Sequence, residues 1–314
     1  MLSPLPLPIA KHINNFLDYL DVEKGLSKKT QENYSRFIKR FTDWLEQKKL
    51  TKLTPADITA DLVSKYRLFL SRQTLSQQTK TELAKSTQNY YLIALRSMLS
   101  YFSEKEITSL APDKIKLAKR PKNQSVHFLN VDNVRKLFDS VDVTNTSGLR
   151  DRAILEAIFS TGSRVSELTK LNREQLNFKN IKEVFELKIT GKGNKTRTIY
   201  FSPRALEWLK KYLDSRIDLD PALFINFGNN DDSKRLTPRS IERIIKKYVK
   251  IAGLPIETTP HTLRHSFATD LLSRGVDLRL VQEFLGHESI STTQIYTHVT
   301  NKKLKDVFSK FHDK

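Results

Sequence analysis

The sequence predicts a mainly α-helical protein with a small antiparallel β-sheet. Apolar residues recur at helical spacing through most of the 314 residues. One segment, KEVFELKITGKGNKTRTIYF at 182–201, instead shows β-branched and aromatic runs on either side of a glycine-bearing turn, the pattern of a β-hairpin. A polar, basic stretch that contains proline, AKRPKNQS at 118–125, predicts an exposed linker between two domains.

Four amphipathic helices are predicted in the first domain, residues 1–117, and together they form a small bundle. The first two are separated by a break at Gly25. Thr54 and Pro55 cap the third helix, and the fourth begins near Ser86. Aromatic residues at this spacing are more typical of a hydrophobic core than of base-stacking platforms.

The second domain, residues 126–314, is predicted to be mainly helical around the hairpin. Helices are predicted over 131–141 and 149–159; Gly162 ends the second, and Ser163 is the predicted N-cap of a short helix that follows. The remaining predictions are a strand at 222–227, a helix that begins at Thr237 and Pro238 and ends near Gly253, and a short amphipathic helix at 301–314.

The chain is strongly basic, with 54 Lys and Arg against 35 Asp and Glu, a formal net charge of +19 and a pI near 9.8. So large an excess attracts polyanions through an electrostatic term that does not depend on sequence, and nucleic acid is the first candidate partner. No run approaches the roughly 20 apolar residues of a membrane-spanning helix. The absence of cysteine excludes disulfides and thiolate metal sites, and without a signal-peptide pattern it predicts a cytoplasmic protein.

Four side chains that can bind phosphate or transfer protons lie close together in the stretch 261–298, HTLRHSFATDLLSRGVDLRLVQEFLGHESISTTQIYTH. His261 and Arg264 are three residues apart on a predicted helix and therefore project to the same face. His287 and Tyr296 follow near the end of the stretch. An oxyanion, above all a phosphodiester, is the ligand that such a group of side chains fits.

The motifs HTLRH and LGHESISTTQIYTH together resemble the C-terminal signature of the tyrosine recombinases, the phage-type integrases, and the likeness is greatest to their Xer group. It extends over nearly the whole chain and is stronger from Arg164 onward. It implies that the first domain is a four-helix, SAM-like core-binding domain that clamps DNA, and that the second is the tyrosine-recombinase catalytic domain. In this family the segment after the tyrosine often packs on the neighbouring subunit, whereas residues 301–314 by themselves equally fit a helix docked on its own domain.

Cleavage of a phosphodiester without a metal requires a nucleophile, charge stabilisation on the non-bridging oxygens and a proton for the leaving oxygen. The resemblance assigns the nucleophile to Tyr296, in QIYTH, whose attack gives a 3′-phosphotyrosyl link and a free 5′-hydroxyl. It assigns the phosphate clamp to Arg164, in TGSRVSEL, and Arg264, in HTLRH. The covalent link conserves the energy of the phosphodiester, so neither ATP nor another cofactor is expected.

The remaining roles implied by the resemblance are proton transfer and support. His261 and His287 are implied to donate to the phosphate or to help take the tyrosine proton. Lys192, in ITGKGNKTR at the tip of the hairpin, is implied as the acid for the leaving oxygen. Glu167, one turn after Arg164, is interpreted as a supporting carboxylate.

The residue pattern leaves two alternatives to weigh. Lys195 and Arg197 also lie near the hairpin and compete for the acid role, which the family motif gives to Lys192. His261 and His265 are four residues apart, as in a helical metal pair. Because there is neither a cysteine nor an HExxH glutamate to complete a zinc site, no metal is expected, and His265 is interpreted as structural.

The resemblance implies a site-specific recombinase that acts on double-stranded DNA with a short palindromic core site and exchanges strands through a Holliday junction. The resemblance implies four protomers per synapse, either a homotetramer or a heterotetramer with a second recombinase, and no membrane partner. Chromosome dimer resolution is the predicted role, and recombination of a mobile genetic element is the alternative. A type IB topoisomerase-like enzyme and a DNA-binding protein with an unused site are the other hypotheses.

Overall fold

The computed structural model describes residues 7–72, 82–118, 127–191, 196–227 and 234–286. The chain divides into two compact units, Met1–Gln124 and Ser125–Lys314. Of the predicted linker, only Ala118 belongs to the described residues, and the predicted helix at 301–314 lies outside them. Within the described ranges, no helix is both long enough and apolar enough to cross a membrane.

The first unit is a bundle of four α-helices, as the sequence predicts. They are α1 (Ile13–Val22), which follows a 3₁₀ turn at Ile9–His12, α2 (Lys28–Gln47), α3 (Ala60–Ser71) and α4 (Lys85–Glu104). Aromatic side chains fill the bundle: Tyr66 lies edge to face against Phe41 and tilted against Trp44, and Phe41 stacks on Trp44. Tyr90 differs, because it is half exposed and stacks on Phe37 at a centroid distance of 6.2 Å.

The third helix begins later than its predicted cap. Thr54 and Pro55 start a 3₁₀ turn, Pro55–Asp57, in which the Asp57 carboxylate accepts hydrogen bonds from the Thr54 N–H at 2.7 Å and its hydroxyl at 2.8 Å. α3 itself is capped by Thr59, whose hydroxyl accepts from the Leu62 N–H at 3.2 Å. Two Thr caps therefore lie five residues apart, and the first closes only a single turn.

The second unit is mainly helical, with short antiparallel strand pairs. Its described helices are α5 (Val131–Asp139), α6 (Thr146–Thr161), α7 (Val165–Leu168), α8 (Pro203–Asp214), α9 (Pro238–Ile251), α10 (Pro260–Ser273) and α11 (Leu278–Leu285). Its described strands are β1 (Phe185–Thr190), β2 (Thr196–Phe201), β3 (Ile225–Asn226) and β4 (Lys234–Arg235). The predicted fold class, mainly α with a small antiparallel sheet, is confirmed.

The hairpin forms where the sequence predicts it. β1 runs antiparallel to β2, with Phe185 opposite Phe201 and Thr190 opposite Thr196. Residues 192–195 of its turn lie outside the described part of the chain. The strand predicted at 222–227 shortens to β3, which pairs with β4 in a second two-stranded sheet.

Helix α6 is the central element of the second unit and is buried along most of its length. Its charged side chains are paired inside the unit: Arg152 Nε donates to Glu156 Oε1 at 3.0 Å, and Arg150 Nη2 donates to Asp151 Oδ1 at 2.7 Å. The Tyr248 hydroxyl from α9 donates to Asp151 Oδ2 at 2.9 Å. Buried charges persist in a core only when paired in this way, so α6 is a fixed base for the residues that follow it.

Candidate active site

Arg164 is positioned by the turn that ends α6. Gly162 adopts a left-handed conformation with φ 56°, which suits glycine, and the chain then enters the short helix α7. The predicted N-cap, Ser163, is wrong by one residue: Arg164 is the N-cap. Ser163 is instead buried, and its hydroxyl accepts a hydrogen bond from Thr161 at 2.9 Å, because the left-handed turn directs it back toward α6.

Glu167 holds Arg164 at two points. Its Oε2 accepts from the Arg164 backbone N–H, and its Oε1 accepts from Arg164 Nη1, both at 2.9 Å. The Glu167 side chain is 5% exposed, whereas that of Arg164 is 34% exposed. A buried carboxylate thus fixes an arginine whose guanidinium still reaches solvent.

The pKa of Glu167 reflects the same contacts. Burial acts to raise it, but the hydrogen bond from the Arg164 backbone and the charge of Arg197 outweigh burial, so the pKa is lowered below its ordinary value. Glu167 is therefore ionised at neutral pH and remains a charged partner for both arginines.

Arg264 lies in the first half of α10 and is 4% exposed. Its Nη1 donates to the Gly162 carbonyl at 2.6 Å, and its Nη2 donates to the Leu285 carbonyl at 2.5 Å. One guanidinium thereby joins the end of α6 to the end of α11. Because the sequence separation is 102 residues in one case and 21 in the other, this juxtaposition is a property of the fold.

Three arginines converge on the last carbonyls of α11. Arg197 Nη1 donates to Phe284 O at 2.6 Å, and Arg264 and Arg164 donate to the next two carbonyls, those of Leu285 and Gly286. The carbonyls at a helix C-terminus lack partners within the helix and carry partial negative charge, which favours cations there. The result is a concentration of forked, permanently charged donors around one point, the arrangement that binds a phosphate oxyanion.

The two histidines of HTLRH lie on α10 beside these arginines. Desolvation lowers the pKa of His261, and the charges of Arg264 and Arg164 lower it further, although the residue as a whole is exposed. Burial, with the nearby His261 and Arg264, lowers the pKa of His265 to about 4. His261 is therefore neutral at neutral pH, near both arginines, and able to accept a proton.

We expect the protein to become less stable as the pH falls, because His265 resists protonation in the folded state. The unfolded chain binds a proton at a histidine below about pH 6.5, whereas the folded chain does so at His265 only near pH 4. The stability from this residue is therefore complete above pH 6.5 and declines as the pH falls toward 4.

His265→Gln should lose less stability than wild type between pH 7 and pH 5, as urea unfolding would measure. His127→Gln, which removes an exposed histidine, is the control, and equal pH dependence in wild type and His265→Gln would contradict this account.

Of the seven residues that the sequence predicts for the site, the structure describes four and brings them together: Arg164, Glu167, His261 and Arg264. The other three, Lys192, His287 and Tyr296, lie outside the described residues. His287 directly follows Gly286, whose carbonyl binds Arg164. In the described part of the chain, no cluster of three or more His, Asp or Glu side chains is arranged to hold a metal ion.

Arg197 is a member of the site that the sequence motifs do not assign. The sequence suggests it only as a competitor for the acid role, yet its Nη2 donates to Glu167 Oε2 at 2.7 Å. The alternation of side chains along β2 indicates that Arg197 faces inward, because it shares a side of the strand with the fully buried Ile199 and Phe201. A basic residue on the buried side of a strand needs a buried partner, and Glu167 is that partner.

Comparison with known proteins identifies both units. Residues 127–303 match the model of the phage integrase family, and residues 13–106 match the phage integrase N-terminal SAM-like domain. Tyrosine recombinase XerD of Lacticaseibacillus casei is 38% identical over 308 residues, which cover 96% of this chain and 98% of the relative. Tyrosine recombinase XerC of Thermodesulfovibrio yellowstonii is 37% identical over 310 residues, 96% of either chain.

Solved structures agree with this fold. The post-cleavage complex of the XerH site-specific recombinase with palindromic difH substrate matches with a TM-score of 0.71 at 23% identity, covering 99% of this chain and 92% of that one. A lambda integrase tetramer bound to a Holliday junction matches with a TM-score of 0.69 at 17% identity, covering 94% and 78%. From the family match and the relatives together, the chain belongs to the phage integrase family and is a tyrosine site-specific recombinase.

Proposed function

We propose that this recombinase cleaves and rejoins double-stranded DNA at a short palindromic site, through a 3′-phosphotyrosyl intermediate at Tyr296 and a Holliday junction. The observation that carries the proposal is the convergence of Arg164 and Arg264 on the end of α11. It places two guanidinium groups around the end of α11. His287 is the next residue in the chain, and Tyr296 follows nine residues after His287. A scissile phosphate bound there would have its two non-bridging oxygens matched by forked donors.

The proposed reaction balances without an external energy source. The Tyr296 phenol oxygen attacks phosphorus, the bond from phosphorus to the 5′-oxygen breaks, and the phosphate remains on the enzyme as a 3′-phosphotyrosine. Lys192 gives its proton to the leaving 5′-oxygen. Attack by a 5′-hydroxyl from the partner strand reverses these steps, and the exchange of one pair of strands gives the Holliday junction.

The phenol proton needs an acceptor, and His261 suits that role. Its lowered pKa keeps the imidazole neutral at neutral pH, and its place near Arg164 and Arg264 puts it beside the proposed phosphate. His287 is proposed as the second donor to a non-bridging oxygen. Glu167 does not touch the phosphate in this scheme, and it acts by fixing Arg164.

The proposed partner is duplex DNA, and the proposed assembly is a tetramer of this chain or of this chain with a second recombinase. The net charge of +19 supports an electrostatic contribution to DNA binding. The XerH complex with a palindromic substrate and the lambda integrase tetramer on a Holliday junction support the same partner and assembly by their common fold. The likeness to XerC and XerD supports chromosome dimer resolution as the role, with mobile-element recombination as the alternative.

Covalent capture from a randomised duplex pool tests the proposal and finds the DNA site in the same experiment. Each duplex has a short core with a nick near its centre, and each of the two arms that flank the core has a random sequence. Cleavage beside the nick releases a small fragment, which traps the protein on the DNA. The protein is incubated in chelator, denatured and separated, and the DNA that remains attached is amplified and sequenced. Tyr296→Phe is the matched control, since it removes only the attacking oxygen.

A denaturation-resistant adduct from wild type, absent from the Tyr296→Phe variant, is the expected result. Sequencing then gives the site, and a plasmid with two copies of it should yield resolution products. A site that occurs once in the chromosome would support dimer resolution, whereas a site at the ends of a mobile element would support the alternative. Adduct formation that survives in Tyr296→Phe would refute the assigned nucleophile.

The acid role of Lys192 makes a separate prediction. Lys192→Ala should slow cleavage of the captured site by about 10²-fold, because a general acid contributes roughly 10² to 10⁴. A duplex whose scissile 5′-oxygen is replaced by sulfur should restore most of the loss, since a thiolate leaves without protonation. The measurement is the single-turnover rate on both duplexes, with Lys195→Ala as the neighbouring control. If the sulfur duplex rescues Lys195→Ala instead, the acid is Lys195.

A further inference from the structure

We infer that Arg197 is a positioning residue of this active site, which sets the orientation of the phosphate-binding arginines through Glu167 and the end of α11. The inference rests on the function proposed above and adds a residue to its machinery. Arg197 has no assigned part in the proposed chemistry. Its contacts nevertheless join the hairpin to α7 and to the end of α11.

The contacts of Arg197 are short and largely shielded from solvent. Its side chain is 12% exposed, its Nη2 lies 2.7 Å from Glu167 Oε2, and its Nη1 lies 2.6 Å from Phe284 O. The fork of the guanidinium spans both acceptors at once, which a single-point cation does not reproduce. One side chain from β2 therefore fixes α7 and α11 relative to each other.

Glu167 is shared between two arginines, and Arg197 decides how it is shared. Its Oε2 already accepts from Arg197 and from the Arg164 backbone, so only Oε1 is left for the Arg164 guanidinium. Without Arg197, Oε2 keeps only the Arg164 backbone N–H as a partner, and the carboxylate is less restrained from turning to bind the Arg164 guanidinium through both oxygens. Arg164 would then have fewer donors for a phosphate, and its position would change.

Packing against Arg197 also restrains Gly286, at the end of α11. Gly286 has φ 61°, and a Cβ added there would lie 2.5 Å from Arg197 Cδ and 3.0 Å from its Nε. The Arg197 side chain thus lies directly against the backbone whose carbonyl binds Arg164. Arg197 therefore defines the position of the last residue before His287.

The acid role fits Arg197 poorly. A guanidinium gives up a proton far less readily than an ammonium group does, so it is a weak donor to a leaving oxygen. Both of its terminal nitrogens are also engaged by Glu167 and Phe284. The effect of Arg197 on cleavage should consequently pass through Arg164 and leave the protonation of the 5′-oxygen unchanged.

The first arm of the test compares Arg197→Met with wild type on the captured site. We expect the single-turnover cleavage rate to fall by about 10- to 100-fold, as for a positioning contact beside bound substrate, and the DNA dissociation constant to stay within about threefold. Arg197→Lys should recover only part of the rate, because it keeps the charge and loses the fork. The duplex with sulfur at the 5′ position should not rescue either variant.

The second arm separates positioning from loss of stability. Arg152→Met is the matched control, since Arg152 is equally buried and pairs with the buried Glu156 away from this cluster. All rates are taken well below each variant's unfolding midpoint. The double variant Arg197→Met with Glu167→Gln should be slowed by clearly less than the product of the two single effects, because Arg197 acts in part through Glu167, whereas independent effects would multiply.

Each outcome is decisive. A slow Arg197→Met with intact DNA binding, a fast Arg152→Met and a non-multiplicative double variant would support the inference. A rate in Arg197→Met equal to wild type, multiplicative effects in the double variant, or rescue by sulfur would overturn the inference and leave the proposed function standing. No adduct from wild type on any member of the pool would overturn both together.

Discussion

Arg264→Lys should slow single-turnover cleavage by about 10³-fold, the upper range for loss of one preorganised donor to transition-state charge. Lysine keeps the positive charge and loses the fork that now reaches the Gly162 and Leu285 carbonyls at once. DNA affinity should stay within about threefold, since it depends on many phosphate contacts. The rate would be measured on the captured duplex at saturating enzyme. Affinity would be measured by titration with proteins that also carry Tyr296→Phe, so that the DNA is bound and not cleaved.

Arg216→Lys provides a matched control for the structural part of that effect. The Arg216 side chain is 1% exposed and, like that of Arg264, donates to backbone carbonyls, those of Ala222 and Leu223 among them. None of these partners belongs to the site. Both variants should lose stability, but only Arg264→Lys should lose cleavage in the folded state. Comparable cleavage rates for the two lysine variants would show that Arg264 holds the fold together and does not bind the phosphate.

For this candidate site, the sequence motifs indicate residues but not their arrangement. Arg164 and Arg264 stand in short local motifs, TGSRVSEL and HTLRH, that can be recognised without knowing what surrounds them. Their common target is the end of α11, which is a backbone feature and leaves no mark in either motif. Backbone carbonyls are the same at every position, so only the fold can show which ones a buried guanidinium reaches.

The helices were predictable for a similar reason. Apolar periodicity is repeated over several turns, so α2, α4 and α6 were evident, whereas caps depend on one or two side chains. The first wrong cap, Thr54, closes a 3₁₀ turn because Asp57 satisfies it locally. At the second, Ser163, the left-handed Gly162 shifts the start of α7 by one residue. The position of Arg197 was readable from strand alternation, but its partner was not, because Glu167 is 30 residues away.

Gly162→Ala should cost about 2 to 5 kcal/mol of the free energy of unfolding. A left-handed backbone at a non-glycine residue costs roughly 1 to 2 kcal/mol, and here the added Cβ would also lie 2.5 Å from Phe267 Cδ1 and 3.3 Å from Leu285 Cδ2. Such overlap in a packed region costs about 1 to 3 kcal/mol more. Gly253→Ala separates the two contributions, because Gly253 has a similar φ of 64° with no atom within 4 Å of the added Cβ.

Urea unfolding of the two variants should therefore show the larger loss at Gly162, with the difference equal to the packing cost. Cleavage should follow the same order, because the Gly162 carbonyl accepts from Arg264 and Leu285 lies on the other side of that guanidinium. When Phe267 and Leu285 move to admit a methyl group, both acceptors of Arg264 move with them. A Gly162→Ala variant that is no less stable than Gly253→Ala, or that cleaves the captured duplex at the wild-type rate, would mean that the end of α6 can shift without disturbing the phosphate clamp.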